Sequence, residues 1–475
     1  MPALRVVLLV LSSLAVAAAA EEPSFNLGPL GAEGLPQKAV DGVPKGTSGI
    51  RVTSVIDGAP AKAAGLAPGD VLVGVGTQLF SNPKLNPVYQ LVDLLEKASS
   101  KKDPKVTLAV VRGGKKQSLP IVLPSLDPHA AGCPIGCARC DKLVEESLKY
   151  IASKQRSDGG YDARYSSTNG EVVMASLSGL AWLASGSTPK EGPYAENLRK
   201  AVDFVGKNCG RAATPEELSG FPAGNWNQTN WGYAYASVFL SQVYPIDPSD
   251  ELKAKLEAMS AAITQGQEAS GGWAHGPGGP NALGYVELQI VGNWCLCGLG
   301  ALKRAGIKVQ QSTIDRGVAY SVSTSSGDGG VGYSHRPGQK GNGEPGRTSG
   351  CIWAFSLLGL QKHAFYPKMS AFFKGSTGNI PSGHISPVMH FLTSAFASTH
   401  LGSASWRQYM ELFRLEVLAT RGQDGHFRAQ PTEAGKTSVR NLDHEMGPVW
   451  TTANYALILQ LPKGKLPLLA GTLGK

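Results

Sequence analysis

The chain has 475 residues, 42% apolar and 17% charged, enough for two or three globular domains and incompatible with a disordered or fibrous protein. Its 45 basic and 36 acidic residues leave a net charge of +9. The lysines are scattered through the chain, so this charge reads as solvated surface with affinity for acidic envelope polymers, and not as a nucleic-acid footprint.

The first twenty residues read as a secretory signal. Arg5 precedes an apolar stretch from Val6 to Val16, and Ala17 to Ala20 precede Glu21 and Glu22. The apolar stretch is too short to span a bilayer, and the alanines suit cleavage after Ala20. No later stretch approaches eighteen uninterrupted apolar residues, so the expectation is an exported protein, periplasmic or extracellular, with no integral membrane segment after cleavage. Residues 21–45 form a lead-in.

Residues 49–80 read GIRVTSVIDGAPAKAAGLAPGDVLVGVGTQLF. The alternation of Ile50, Val52 and Ser54 predicts a strand, then a turn, a short Ala-rich helix and a second apolar strand. A helix around Val88–Ala98 and strands in KVTLAVVRGG and QSLPIVL complete a small β-rich α+β module. Through Ala59-Pro60-Ala61, Ala64-Gly65-Leu66 and Gly69-Asp70, residues 46–123 closely resemble a PDZ domain of the bacterial protease-associated type. The lead-in FNLGPLGAEGLP resembles that of an exported family in which a PDZ precedes a helical-repeat domain. The resemblance implies capture of a peptide or protein C-terminus by addition to a strand edge. Thr47, Ser48, Gly49 and Ile50 would hold the terminal carboxylate, and the strand Ile50–Ser54, with Val52, would be the docking edge. The plainer alternative is a module that packs on the rest of the chain and binds nothing.

A Pro-rich linker, 124–139, carries CPIGCARC. Its C-x3-C-x2-C spacing matches that of radical iron–sulfur enzymes, but here it sits in an exported chain without a βα barrel. Export favours a disulfide among Cys133, Cys137 and Cys140, with a small structural metal site as the next reading. Cys295 and Cys297 fall in an apolar helix and read as buried thiols, while NQT at 227–229 has the form of a glycosylation sequon.

From Cys140 the pattern is helical. CDKLVEESLKYIASKQ puts Leu143, Val144, Leu148 and Ile151 on one stripe, whereas EVVMASLSGLAWLASG is apolar nearly all round. This alternation of amphipathic and buried helices repeats over six pairs. Between partners lie QRSDGGY (155–161), AGNW (223–226), QEASGGW (267–273), SSGDGGVGY (325–333), TGNIPSGH (377–384) and RGQDGHF (421–427), about fifty residues apart. An outer and an inner ring require that alternation, so residues 140–462 are expected to form an all-α (α/α)6 toroid of six helical hairpins, followed by a tail, 463–475. The glutamine-to-aromatic loops, Gln155 to Tyr161 and Gln267 to Trp273, resemble those of the terpenoid cyclase and protein prenyltransferase superfamily. The resemblance implies that the glutamine bonds backbone and the aromatic packs on the adjacent hairpin. Ser325, Arg421 and Val331 depart from the pattern.

Toroid chemistry is expected beside the loops leading into the inner helices, although capping and backbone bonding also account for polar residues there. No Asp-x-Asp-Asp run is present, which excludes class II cyclase chemistry. GRTSGCIWAFS (346–356) resembles the zinc-binding segment of the prenyltransferases, with Cys351 kept, Ser349 in place of an aspartate, and His390 as a possible partner. Zinc is thus a possible cofactor, and no other is implied. A polar cavity also suits glycan cleavage, for which Glu171, Glu287, His335 and Arg347 are candidate acids and bases.

The sequence therefore predicts an exported envelope protein with a peptide-binding PDZ module and a ligand-binding toroid. The alternative is an enzymatic toroid, a glycan hydrolase or lyase or a metal-dependent transferase, with the PDZ as targeting arm. A purely structural envelope partner would have its PDZ groove blocked by its own chain.

Overall fold

The computed structural model describes residues 24–130, 132–163, 167–211, 228–276, 286–422, 425–431 and 442–473. The leader, the AGNW loop and the asparagine of the sequon lie outside these residues.

The N-terminal region is a seven-stranded antiparallel sheet: β1 (Phe25–Asn26), β2 (Ala32–Gln37), β3 (Gly49–Val55), β4 (Val71–Val75), β5 (Gln78–Leu79), β6 (Lys105–Arg112) and β7 (Lys115–Val122). Its order is β1-β2-β3-β4-β6-β7, with β5 also on β4. A short helix, α1 (Pro60–Ala63), follows β3, and α2 (Pro87–Ser99) follows β5. Helix α2 begins at an Asn86 cap whose side chain accepts from the Val88 N–H. It lays Val88, Leu91, Val92 and Leu95 on a core with Ile50, Val52, Leu72 and Leu108, the 3.6-residue stripe meeting the two-residue alternation of the strands.

The lead-in is part of this sheet, and that corrects the predicted peptide groove. β2 pairs with β3 from Ala32 opposite Val55 to Gln37 opposite Gly49, so the edge expected to receive a ligand is occupied by the chain itself. Gly34 permits the close approach, since a Cβ there would press on the Ile50 side chain and the Arg51 carbonyl. Thr47, Gly49, Ile50 and Val52 are buried. Ser48 donates both its N–H and its hydroxyl to the Phe80 carbonyl. The backbone groups expected to hold a carboxylate are thus already used within the fold.

Among the described residues the helical region contains six pairs, α3 (Ala138–Lys154) with α4 (Ser167–Ala184), α5 (Ala195–Asn208) with α6 (Thr229–Val243), α7 (Asp250–Gln265) with α8 (Gln289–Arg304), α9 (Gln311–Thr324) with α10 (Pro345–Leu357), α11 (Tyr366–Ser376) with α12 (Pro387–Leu401), and α13 (Ser403–Thr420) with α14 (Leu442–Ile458). The second member of each pair belongs to an inner ring. Helices α4, α6, α8, α10, α12 and α14 touch in succession and α14 returns to α4, which closes the toroid. The inner helices α10 and α12 are buried on nearly every side.

The repeated loops act as structural ties. Gln155 donates to the carbonyls of Gly159 and Asn197, and Gln267 to those of Gly271 and Thr313. Tyr161 and Trp273 are buried and hydrogen-bond back to the helix they follow, at Ile151 and Ile263. Gly159, Gly271 and Gly329 all have φ between 91° and 100°. A Cβ at any of them would overlap the backbone of the next outer helix, at Lys200, Arg316 or Lys368. These loops therefore need glycine both for its φ and for its missing side chain.

The sheet packs on α13. Leu415, Leu418 and Ala419 join the core of the sheet, Arg414 pairs with Asp93 and Glu96 of α2, and Gln430 exchanges two hydrogen bonds with the Asn26 backbone. Among the described residues no helix is long and apolar enough to cross a membrane.

Candidate functional site

A cavity of about 110 Å³ opens where the inner helices begin. Each of the six helices contributes from its first turns or the residues just before them: Asn169 from α4, Trp231 from α6, Leu288 and Ile290 from α8, Arg347 from α10, His384 and His390 from α12, and Trp450 from α14. Six helix N-termini directed toward one space favour electron-rich or anionic groups there. Trp231, Tyr235, Tyr333 and Trp450 supply aromatic walls, and Val173, Met389 and Met446 add apolar surface. The polar lining comes from Asn169, Gln228, His275, Arg347, His384 and His390.

These polar groups differ in how firmly they are engaged. Arg347 is buried and held on three sides, by ion pairing with Glu344, by donation to the Asn342 carbonyl at 2.9 Å and by a longer bond to the Val331 carbonyl. Its guanidinium also lies over the Tyr333 ring. Glu344 in turn accepts the His384 backbone N–H at 2.6 Å. Burial pushes the Glu344 carboxyl up, but the nearby His390 and Arg347 outweigh it and hold the group below the usual carboxylate range. His275 accepts the Trp231 indole N–H on Nδ1 at 2.9 Å, which places its own proton on Nε2. Burial lowers its pKa to about 4.

His390 is the exception. It is 0% exposed, lines the cavity, and among the described residues neither ring nitrogen has a hydrogen-bond partner. The nearest charge is a Glu344 oxygen, 3.7 Å from Nδ1 and too far for a hydrogen bond. Burial again drives the pKa to about 4, so the ring is neutral near pH 7. The imidazole lies between Gly346 and Gly383, and a Cβ on either would overlap it on its Nδ1 side. With no described residue bonded to it, the imidazole in this glycine-lined slot keeps its hydrogen-bonding capacity for whatever occupies the cavity.

Of the predicted acids and bases, the structure brings only Arg347 to this cavity. Glu171 is bound by both oxygens to Arg156. Glu287 accepts from Ser270, and His335 is exposed, bonded to Ser323 and tilted on Tyr320. None of these three lines the cavity. The two residues of the predicted metal pair have different surroundings. Cys351 donates to Asn293 and accepts from Gln289 inside the helix packing, with its thiol pushed up to about 12 by burial, while His390 faces the cavity. Cys295 and Cys297 are buried thiols as expected. Sequence reasoning missed the roles of Tyr333 and Glu344. The visible signal for His390 was a histidine six residues after another, following Gly383 in a Gly-rich turn.

Residues 140–469 match the model of a domain of unknown function (DUF6288). No curated protein matches the sequence. Among solved structures, the chain is similar to the GH76A alpha-1,6-mannanase from Salegentibacter sp. HEL1_6, at 11% identity over 67% of this chain and 99% of that one, with a TM-score of 0.46. It is also similar to a family 76 glycoside hydrolase from a bovine Bacteroides thetaiotaomicron strain, at 10% identity over 75% and 84% of the two chains, with a TM-score of 0.47. Cellobiose 2-epimerase from Bacillus thermoamylovorans B4167 gives 11% identity, 68% and 98% coverage and a TM-score of 0.48. These similarities are of fold alone. By name these proteins are a mannanase, a family 76 glycoside hydrolase and a sugar epimerase, where the loops suggested terpenoid cyclases and prenyltransferases, and none carries the PDZ resemblance of the N-terminal sheet.

Proposed function

The chain belongs to the DUF6288 family, and from the chemistry of its cavity we propose that the toroid is a sugar-binding enzyme that moves a proton with His390. The observation that carries this reading is the buried imidazole of His390, unpartnered at both nitrogens and lining a cavity walled by indole and phenol rings. Aromatic faces accept the C–H faces of sugar rings, while amide, guanidinium and imidazole groups take hydroxyls. Trp231 and Trp450 would supply the stacking surfaces, and Asn169, Gln228 and Arg347 the polar contacts.

The catalytic division of labour follows from the wiring. The Glu344 carboxylate, on the Nδ1 side of His390, favours a proton on that nitrogen and leaves Nε2 as the base. Arg347, fixed by Glu344 and two carbonyls, is ready to stabilise negative charge that develops on a substrate oxygen without reorganising. Glycoside hydrolysis by a carboxylate pair fits less well: among the described residues no two carboxylates line the cavity, and Glu344 is already engaged. Proton abstraction at a sugar carbon, followed by its return as in an epimerase or by loss of the β-oxygen with C=C formation as in a lyase, suits one neutral base beside one cation. The leader with Arg5 and Ala17–Ala20 would send the protein to glycans outside the cytoplasm.

Binding is tested by titrating gluco- and manno-oligosaccharides into the full chain while following indole fluorescence, because Trp231 and Trp450 face the cavity. Saturable change that is lost in Trp231→Ala supports the reading. A flat response to neutral and acidic oligosaccharides alike would remove it.

A further inference from the structure

Outside the toroid cavity, the linker brings together four side chains that the proposed reaction does not use. Among the described residues, His129, Cys133, Cys137 and Cys140 place one ligand atom each within 4.8 Å of all the others. Cys137 precedes α3 and Cys140 lies in its first turn, so the helix sets two of the thiols, and the turn before it brings the third. The His129 Nδ1 lies 3.3 Å from Cys133 Sγ, 3.6 Å from Cys137 Sγ and 3.7 Å from Cys140 Sγ. A tetrahedral zinc ion with ordinary Zn–S and Zn–N bonds separates sulfur from nitrogen by about 3.6 Å and sulfur from sulfur by about 3.8 Å. The three S–N separations bracket the first value. Cys133 and Cys140, 3.1 Å apart, would open modestly around an ion.

The opposite edge of the histidine supplies an independent observation. His129 Nε2 lies 3.1 Å from a Glu96 oxygen, and that carboxylate is also held by Arg139 and Arg414. The contact is not aligned for a hydrogen bond, but a carboxylate beside the far nitrogen favours the proton there by its charge and frees Nδ1 to bind metal, as carboxylates behind metal-binding histidines do. Glu96 belongs to α2, Arg139 to α3 and Arg414 to α13, so this one carboxylate connects the sheet, the linker and the toroid.

We infer that His129, Cys133, Cys137 and Cys140 form a structural zinc site that clamps the N-terminal sheet to the toroid. All four positions are taken by protein, which leaves no open coordination position for a substrate and separates this site from the proposed catalysis. Three thiolates and one imidazole select a soft, tetrahedral divalent ion. The negative charge left on such a centre faces the Glu96–Arg139–Arg414 network, where two guanidinium groups offset it.

The test is metal analysis of the full chain purified without chelator, together with intact mass under non-reducing conditions. One zinc per chain is expected, with loss of most of it in His129→Ala and in Cys137→Ser and full retention in Cys351→Ser, a buried thiol outside the cluster. Because a linker variant can fail to fold, the wild-type chain is also exchanged with cobalt(II). Intense thiolate-to-cobalt absorption with tetrahedral d–d bands supports the site. Metal-free protein that gives no cobalt–thiolate absorption, zinc retained in both ligand variants, or a mass two hydrogens lighter from a disulfide within the cluster would overturn it.

Discussion

Tyr89 on α2 donates its hydroxyl to Glu416 on α13 at 2.6 Å, across 327 residues of sequence, in a fully buried contact. Tyr455 donates to the other Glu416 oxygen at 2.7 Å. The carboxyl is nonetheless pushed up to about 7, because burial outweighs both hydrogen bonds. The sheet and the toroid therefore meet at an acid that titrates near neutrality.

The sign of the pH effect follows. The folded state keeps the Glu416 proton up to about pH 7, whereas the unfolded chain releases it near the ordinary value of 4.5. This contribution is complete below pH 4.5 and is lost as pH rises through 7. Glu416→Gln, which has no proton to lose, should gain on the wild type between about pH 5 and pH 8 by an amount on the order of 3 kcal/mol. Denaturant unfolding of both proteins at the two pH values measures it, and parallel curves would refute the assignment.

His390 offers a trade of stability against function. An imidazole without hydrogen-bond partners costs about 1–3 kcal/mol when buried, so His390→Leu should unfold at a temperature equal to or above the wild type while losing sugar conversion. Gly383→Ala should also impair conversion, because its Cβ would overlap the ring. Thermal melts and activity are read on the same preparations. A His390→Leu protein that keeps sugar conversion would place the function elsewhere, and one that melts well below the wild type would contradict the stability half of the prediction.

The repeated loops make a third prediction. Gly271→Ala puts a side chain at φ 91° and 2.5 Å from the Arg316 carbonyl, and should cost more than about 1 kcal/mol. Gly375 lies in α11, where an added methyl would meet nothing within 4 Å, and Gly375→Ala should gain about 0.5–1 kcal/mol from helix propensity. Unfolding midpoints of the two variants should move in opposite directions.

Much of this architecture is legible in the chain because burial imposes composition. A helix such as α4 is apolar on every side only if neighbours surround it, and the glycines at 159, 271 and 329 recur because each meets the backbone of another helix. The β2 strand is not legible: AEGLPQ holds a glycine and a proline where a strand would show branched residues, and its pairing partner determines its conformation. The cavity was hidden for a different reason. Its walls come from single turns of six helices, so no local spacing unites Trp231, Arg347 and His390. Choosing acids by polarity selected Glu171, whose charge is already neutralised by Arg156. His129 escaped notice because it lies outside the cysteine run, four residues before Cys133.

The central claim is that His390 moves a proton at a sugar carbon. The most direct measurement is mass and NMR analysis of reducing mono- and disaccharides incubated in D2O with the wild type and with His390→Gln. The account predicts deuterium at a single ring or carbonyl-adjacent carbon with the wild type and at least a hundredfold less with the variant. Cleavage of glycosidic bonds without carbon-bound deuterium, or equal deuterium with the variant, would contradict it.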